Sequence, residues 1–530
     1  MWRAWLVWAS LAVAAPGPAD PVEARLSGPL RQAWREAVEA GSAGDDRRAV
    51  IVEPAPGQDV ERLSAALEHA GYDVQLANVV GVQVRIRPRA LYGLAGEPGV
   101  ARVRLPARPS KKETISEGYD VVMQSDWHDL DLRGEGVNVG VIDLGFKGWE
   151  DLDSDEFPRD AVANFDAADP DGDDHGTGVT EVVYDFAPSA SYFLATFQTD
   201  AELCAVATAM AELDVHVINA SVGFDNAWTL DGSSGLSQCV DQIVEGGTAW
   251  FAAAGNEHGR YRRGALSYPT DDGTIALGGE TQIWLDSDDG AVDVRLRWSE
   301  TFGAASSDID LVVFNKNGSE CGRSEEPQDG DDAPYEEVQA EGCGARVYAT
   351  LIAGGARADL SRLTGVLYSA SGLDPDLATD GGEISIPGDA AGAVTVGAWD
   401  WSLASLTDTS SWGPTDDGRL KPEVVAPANV STASGGRRAL SGTSAATPHA
   451  AGLGALWAEA AEARDPEGMK AWIEAGAVDE GATGPDDQSG YGLLSADEPP
   501  EPEGCGCGGS KRAGGLLCVG LIGLSLRRRR

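Results

Sequence analysis

Four runs of almost purely apolar residues, "VNVGVID", "YFLATF", "HVINASVGF" and "GGTAWFAAAGN", recur between residues 120 and 270, with helix-like stretches between them. No other feature of the 530-residue chain restricts its fold as tightly. A strand with one face in water alternates apolar and polar residues, whereas a strand that is apolar throughout must be covered on both faces. Segments such as "AELCAVATAMAEL" read as the covering helices. Strands separated by helices build a parallel sheet layered between them, so an α/β domain is expected.

That rhythm is interrupted over residues 271–383. "TQIWLD", "VDVRLRW", "DIDLVVFN" and "RVYATLIAG" are short alternating runs joined by acidic, glycine-rich turns, which predicts an all-β sandwich or jelly roll. The α/β pattern returns at "AVTVGAW" and ends at "GYGLLSAD". The all-β module is therefore read as an insertion between two parts of one domain, residues 111–270 and 384–498. Residues 48–110 read as βαββαβ, the order of a small ferredoxin-like unit, preceded by a leader over 20–47. Residues 1–19 combine an early arginine, an apolar stretch and small residues, the pattern of a secretory signal peptide. Residues 499–530 hold a proline-rich spacer, "GCGCGG", an apolar run over Gly514–Leu526 and "RRRR".

Asp plus Glu number 85 against 40 Lys plus Arg, a net charge of −45. Such an excess repels phosphate backbones and argues against a nucleic-acid partner. The seven cysteines fit export to an oxidising compartment. Cys204 with Cys239 and Cys321 with Cys343 are candidate pairs, free thiols being the alternative; Cys505, Cys507 and Cys518 belong to the tail.

Three junctions carry reactive groups. "VGVIDLGF" delivers Asp143 into a glycine turn, "DDHGTGV" places His175 at the start of a helix, and "SGTSAATPHAAG" does the same for Ser444. In an open α/β sheet, ligands collect at the carboxyl ends of the strands, where groups distant in sequence can meet. A serine hydroxyl needs a base to become a nucleophile; imidazole is that base near neutral pH, and a carboxylate fixes its tautomer. A helix N-terminus behind Ser444 favours developing negative charge. Gly442 permits close backbone approach, Ala445 and Ala446 suit a buried helix, and Pro448 is read as a first-turn residue, where no N–H is needed.

With these motifs, the chain resembles the subtilisin-like serine peptidases, or subtilases. "VIDLG", "HGTGV" and "GTSAATPHAAG" match the family's aspartate, histidine and serine motifs, and "AAAGNE" matches a fourth. The resemblance covers 120–270 and 384–497. It implies a subtilisin-like fold and a secreted or surface-attached endopeptidase acting on polypeptides through Asp143, His175 and Ser444. It also implies an oxyanion hole formed by Asn256 and the Ser444 N–H, and no cofactor in the chemistry. Ser221, Val222 and Gly223, with Ala253, Ala254 and Gly255, correspond to substrate-pairing segments. The 48–110 unit resembles the inhibitory propeptides of subtilases, which would make the chain's own propeptide a partner, with autocleavage expected between 105 and 117. The insertion resembles β domains appended to secreted peptidases, and the tail resembles MYXO-CTERM sorting signals, implying membrane attachment. Two departures stand out: Glu181 on a short polar histidine helix, and Ala445 where the family more often has methionine. A catalytically silent binding protein and a module that processes only itself remain as alternatives.

Other motifs are discounted. "DPDGDD" (169–174) begins like a calcium loop but lacks a correctly spaced closing glutamate, so a structural calcium has no support and no metal site is assigned. "GEGVNVG" precedes a strand instead of following one into a helix, and fails as a dinucleotide loop. His449 is read as a packed helix residue and His258 as a surface residue beside Asn256.

Overall fold

The computed structural model describes residues 22, 25–26, 28–39, 47–78, 81–104, 114–164, 173–287 and 290–500. The expected signal peptide, most of the 105–117 cleavage segment and nearly all of the tail lie outside the described residues. The chain divides into two units, 1–112 and 113–530.

The first unit contains α1 (Gly28–Glu39), β1 (Arg48–Pro54), α2 (Val60–His69), β2 (Asp73–Asn78), β3 (Gly81–Ile86), α3 (Leu91–Gly96) and β4 (Val100–Arg104). The strands form a four-stranded antiparallel sheet in the order β2-β3-β1-β4. Asp59 caps α2 by accepting the Arg62 N–H, and Leu63 and Leu67, one turn apart, are buried. They share a core with Val50, Val52, Val82 and Val84 from the sheet.

The second unit opens with α4 (Glu117–Val122), β5 (Asn138–Asp143), β6 (Val162–Asn164), α5 (His175–Phe186), β7 (Ser191–Thr196), α6 (Asp200–Glu212), β8 (Val217–Ala220), α7 (Gly235–Glu245) and β9 (Ala249–Ala253). An all-β segment follows, with nine strands: β10 (Tyr261–Ser267), β11 (Thr274–Leu277), β12 (Ile283–Asp286), β13 (Val292–Trp298), β14 (Ile309–Asn315), β15 (Glu320–Ser324), β16 (Tyr335–Ala340), β17 (Arg346–Ala353) and β18 (Thr364–Ser369). The chain then returns through β19 (Val394–Asp400), β20 (Ser405–Leu406), β21 (Val424–Ala428), β22 (Val430–Thr432), β23 (Gly436–Leu440), α8 (Gly442–Ala461) and α9 (Pro466–Gly476).

Strands β6-β7-β5-β8-β9-β19-β21 are parallel, and β20 adds one antiparallel edge. Successive side chains of each strand go to opposite cores. Ala249 and Phe251 of β9 face α5 and α8, while Trp250 and Ala252 join Leu203, Ala207, Val240 and Ile243 of α6 and α7. This is the α/β architecture that wholly apolar strands demand.

The all-β segment begins earlier than its sequence pattern indicated. β10 pairs with β18 and opens the segment at Tyr261, ahead of the expected 271 boundary. "YRRGALS" carries two arginines and little alternation, so it gave no strand signal of its own. The strands form one antiparallel path, β15-β14-β17-β11-β10-β18-β13-β16, with β12 on β17. Its end strands β15 and β16 touch, so the sheet folds over a single core that includes Leu285, Leu296, Trp298, Leu311, Val313 and Leu351. Cys204 and Cys239 form a disulfide joining α6 to α7, whereas Cys321 and Cys343 are free thiols within the all-β segment. Among the described residues no helix is long and apolar enough to cross a membrane.

Charge ties the β segment to the α/β layer. Arg297 on β13 is buried; its Nη1 lies 2.7 Å from Asp416 Oδ2 and its Nε donates to Asn226 Oδ1 at 2.7 Å. Arg263 on β10 holds the other Asp416 oxygen at 2.5 Å. Burial opposes ionisation of Asp416, but the two guanidiniums outweigh it and hold its pKa at about 2. Removing one partner of a buried pair strands the other charge, so Asp416→Asn is expected to cost about 3 kcal/mol. Because the folded-state pKa is lowered, the difference should be full above the ordinary 3.8 and shrink as pH falls towards about 2. Denaturant unfolding of both proteins across that range measures it.

Candidate active site

The strand register brings the sequence motifs to one level. Ile142 of β5 lies beside Ala220 of β8, and Ala220 lies beside Ala252 of β9. Asp143 ends β5, Ser221 follows the last residue of β8 and Ala253 ends β9, neighbouring strands lying about 5 Å apart.

Asp143 is completely buried. Its Oδ1 accepts the Leu144 N–H at 2.7 Å and faces His175 Nδ1 at 2.8 Å. Its Oδ2 has no hydrogen-bond partner among the described residues. His175 is the first residue of α5, and its N–H is held by Asp173 Oδ1 at 2.9 Å. The end of the discounted acidic stretch therefore anchors the histidine; residues 169–172 lie outside the described residues. A Cβ on Gly176 would sit 2.7 Å from Asp143 Cβ, so glycine after the histidine is what allows the two to meet. Burial depresses the imidazole pKa, but the Asp143 bond and charge, with Asp173 and Asp174, outweigh it and hold His175 above its ordinary 6.5.

Ser444 lies in the first turn of α8, whose residues are nearly all buried. Its hydroxyl donates to the Ser221 carbonyl at 3.3 Å, and among the described residues it makes no hydrogen bond to His175. Hydrogen bonds of this kind commonly tighten only once a substrate is bound. In return, Ser221 Oγ donates to the Ser444 carbonyl at 3.1 Å. That bond corrects the first-turn reading of Pro448. The helix starts at Gly442, so Pro448 lies in its second turn and lacks the N–H that would have reached the Ser444 carbonyl. The Ser221 hydroxyl takes that place.

Asn256 follows β9. Its Oδ1 accepts the Thr443 N–H at 2.9 Å and the Thr443 hydroxyl at 3.3 Å. Among the described residues no acceptor holds its Nδ2. Gly442 has φ +64° and passes so close that any Cβ would overlap Asn256 Oδ1. One end of the amide is thus fixed next to Ser444, and its donor end is available. Gly223 and Gly255 both lie against Ser385, which thus touches both segments, Ser221–Gly223 and Ala253–Gly255.

Glu181, a departure from the family pattern, is buried and accepts the N–H groups of Ala433 and Ser434 between β22 and β23, the hairpin leading to Ser444. His449 is fully buried: Nδ1 donates to the Ala445 carbonyl at 2.8 Å, leaving Nε2 to accept the Ser116 hydroxyl at 2.7 Å. Burial drops its pKa to about 4, so it is a neutral packing residue. His258 is not a surface residue. Its side chain is 19% exposed, pairs with buried Glu383 at 2.9 Å and stacks on Trp412 at 3.9 Å. Its partners lie over a hundred residues downstream, and no local pattern announces them.

Residues 375–492 match the model of the Subtilase family. The thermostable alkaline protease of Halalkalibacterium halodurans is 25% identical over 243 residues, covering 42% of this chain and 62% of that protein. The chain thus spans less than two thirds of that relative's length. Among solved structures, the Clostridium perfringens CspB protease aligns at 18% identity and TM-score 0.47, covering 70% of this chain and 93% of that one. A cold-adapted subtilisin-like serine proteinase aligns at 17% identity and TM-score 0.36, covering 69% and 90%.

An NMR titration of His175 is expected to show a midpoint above the ordinary 6.5. In Asp143→Asn the negative charge that raises it is lost, so the midpoint should fall below that of wild type.

Proposed function

We propose that this chain is an exported subtilisin-like serine endopeptidase. The observation that carries the reading is the bond between buried Asp143 and His175 at the same sheet edge as Ser444. Asp143 holds the Nδ1–H tautomer, leaving Nε2 as the base. The Ser444 hydroxyl turns from the Ser221 carbonyl to His175, gives up its proton and attacks the scissile carbonyl. The anchored Asn256 amide and the Ser444 N–H receive the oxyanion, and the His175 proton passes to the leaving amine. Water activated by His175 then releases the acyl group. No cofactor takes part in these steps.

Segment Ser221–Gly223 would pair with an extended polypeptide as an added strand, while the backbone of Ala253–Gly255, where Ala254 and Gly255 are already bonded to Val396, Ser385 and Ser411, would line the cleft beside it. The four-stranded antiparallel sheet of the first unit, with two helices in βαββαβ order, supports the reading of a ferredoxin-like propeptide released by autocleavage between 105 and 117. The signal-peptide-like pattern of residues 1–19 and the MYXO-CTERM-like tail support an exported mature protein, secreted or attached to the cell surface. One observation favours a second reading, a silent binding protein on the same fold: the resting Ser444 hydroxyl is bonded to Ser221 and not to His175.

A fluorophosphonate probe separates the two. Labelling of the processed wild type, absent in Ser444→Ala, is expected, together with a loss of peptide hydrolysis of roughly six orders of magnitude. An unlabelled, correctly processed wild type would favour the silent protein. Mass spectrometry of the secreted chains should find the 105–117 cut in wild type and an uncut chain in Ser444→Ala.

A further inference from the structure

The loop that carries Asn256 is fastened mainly by partners far along the chain. Ser411 N–H donates to the Gly255 carbonyl at 2.9 Å, Ser411 Oγ accepts the Glu257 N–H at 3.0 Å, and the His258 N–H donates to the Thr409 carbonyl at 3.2 Å. The His258 ring adds a second layer. Its Nδ1 lies 2.9 Å from Glu383 Oε2, and the same oxygen accepts the Trp412 backbone N–H at 3.2 Å. The Trp412 ring lies nearly parallel to the imidazole, 3.9 Å away and inclined by 22°.

Glu383 is fully buried, and among the described residues His258 is its one ion-pair partner. A buried carboxylate is costly without a cation or several donors, so the pair is strongly held. Its location gives it a purpose. The all-β segment leaves at Tyr261, three residues after His258, and the chain returns beside it, where the Thr379 N–H bonds the Tyr261 carbonyl. Glu383 follows four residues later. The His258–Glu383 pair therefore closes the neck of the insertion, between that segment and Asn256.

We propose that His258 is a positioning residue, holding through Glu383 and Trp412 the backbone that aims the Asn256 amide at the oxyanion. This rests on the peptidase reading. Asn256 Oδ1 is fixed by Thr443, but the direction of Nδ2 also depends on the backbone at 255–258. Small displacements of a catalytic donor cost rate, and a donor that acts in the transition state affects kcat more than KM.

The test is a double-mutant cycle on the processed full chain, read as kcat and KM on a peptide anilide, with folding followed by thermal unfolding. His258→Ala is expected to lower kcat about tenfold with KM changed less than about twofold. His258→Asn, which keeps a donor near the Nδ1 position, should recover most of it. In an Asn256→Ala background, itself slower by two to three orders of magnitude, His258→Ala should cost less than about twofold. An equal loss in both backgrounds, a loss carried by KM, or no loss of kcat would overturn the proposal. If His258→Ala does not fold, Glu383→Gln takes its place in the same cycle; failure of both to fold would assign the pair to stability and overturn positioning. Absence of Ser444-dependent turnover in wild type is a different result, which removes the peptidase reading and this inference with it.

Discussion

A carboxylate sealed from water is the constraint on which the site depends. Asp143 ends a strand that is buried on both faces, and its charge must be met by donors brought to it. The Leu144 N–H supplies one and His175 Nδ1 the other. For the histidine to reach it, α5 must start there, Gly176 must lack a side chain, and Asp173 must hold the helix end. The bond that His175 makes to one oxygen of the buried carboxylate also fixes which imidazole nitrogen faces outwards. Local folding energetics and chemistry thus share one contact.

The serine side follows a similar economy. α8 lies against the sheet and α5 because it is built of alanine and glycine; a Cβ on Gly452 would fall 2.7 Å from Phe186, and one on Gly454 2.7 Å from Phe251. Close packing carries Ser444 to the carboxyl edge, and Pro448 leaves the Ser444 carbonyl open to the Ser221 hydroxyl. The helix is thereby fastened just past the end of β8 at Ser444 itself. On the other flank, Arg297 and Arg263 grip Asp416, so the β segment is bound into the layer that carries Asn256.

Much of this was legible in the sequence because it is written in short range. Apolar runs such as "GGTAWFAAAGN" predicted strands covered on both faces, and Trp250 and Phe251 do go to opposite cores. "VIDLG", "HGTGV" and "GTSAATPHAAG" singled out Asp143, His175 and Ser444 through residue types that strand-to-helix junctions need. What escaped notice depends on partners far along the chain. β10 has no apolar alternation and becomes a strand by pairing with β18. Glu181 looked like an oddity until the 433–434 turn lay above it. His258 looked exposed until Glu383 and Trp412 came back to it after the insertion. Pro448 lies in the second turn because α8 already starts at Gly442, two residues before Ser444, a start that composition does not mark.

The central claim is that groups from β5, α5, α8 and the loop after β9 act on one reacting carbon. A crystal structure of the processed protein with a peptide boronate tests it most directly, since the tetrahedral adduct mimics the intermediate. The expected result is a bond from Ser444 Oγ to boron, one boronate oxygen within hydrogen-bond distance of Asn256 Nδ2 and the Ser444 N–H, and His175 Nε2 facing the other. A boronate bound away from Ser444, or an adduct whose oxygens turn from Asn256, would contradict it.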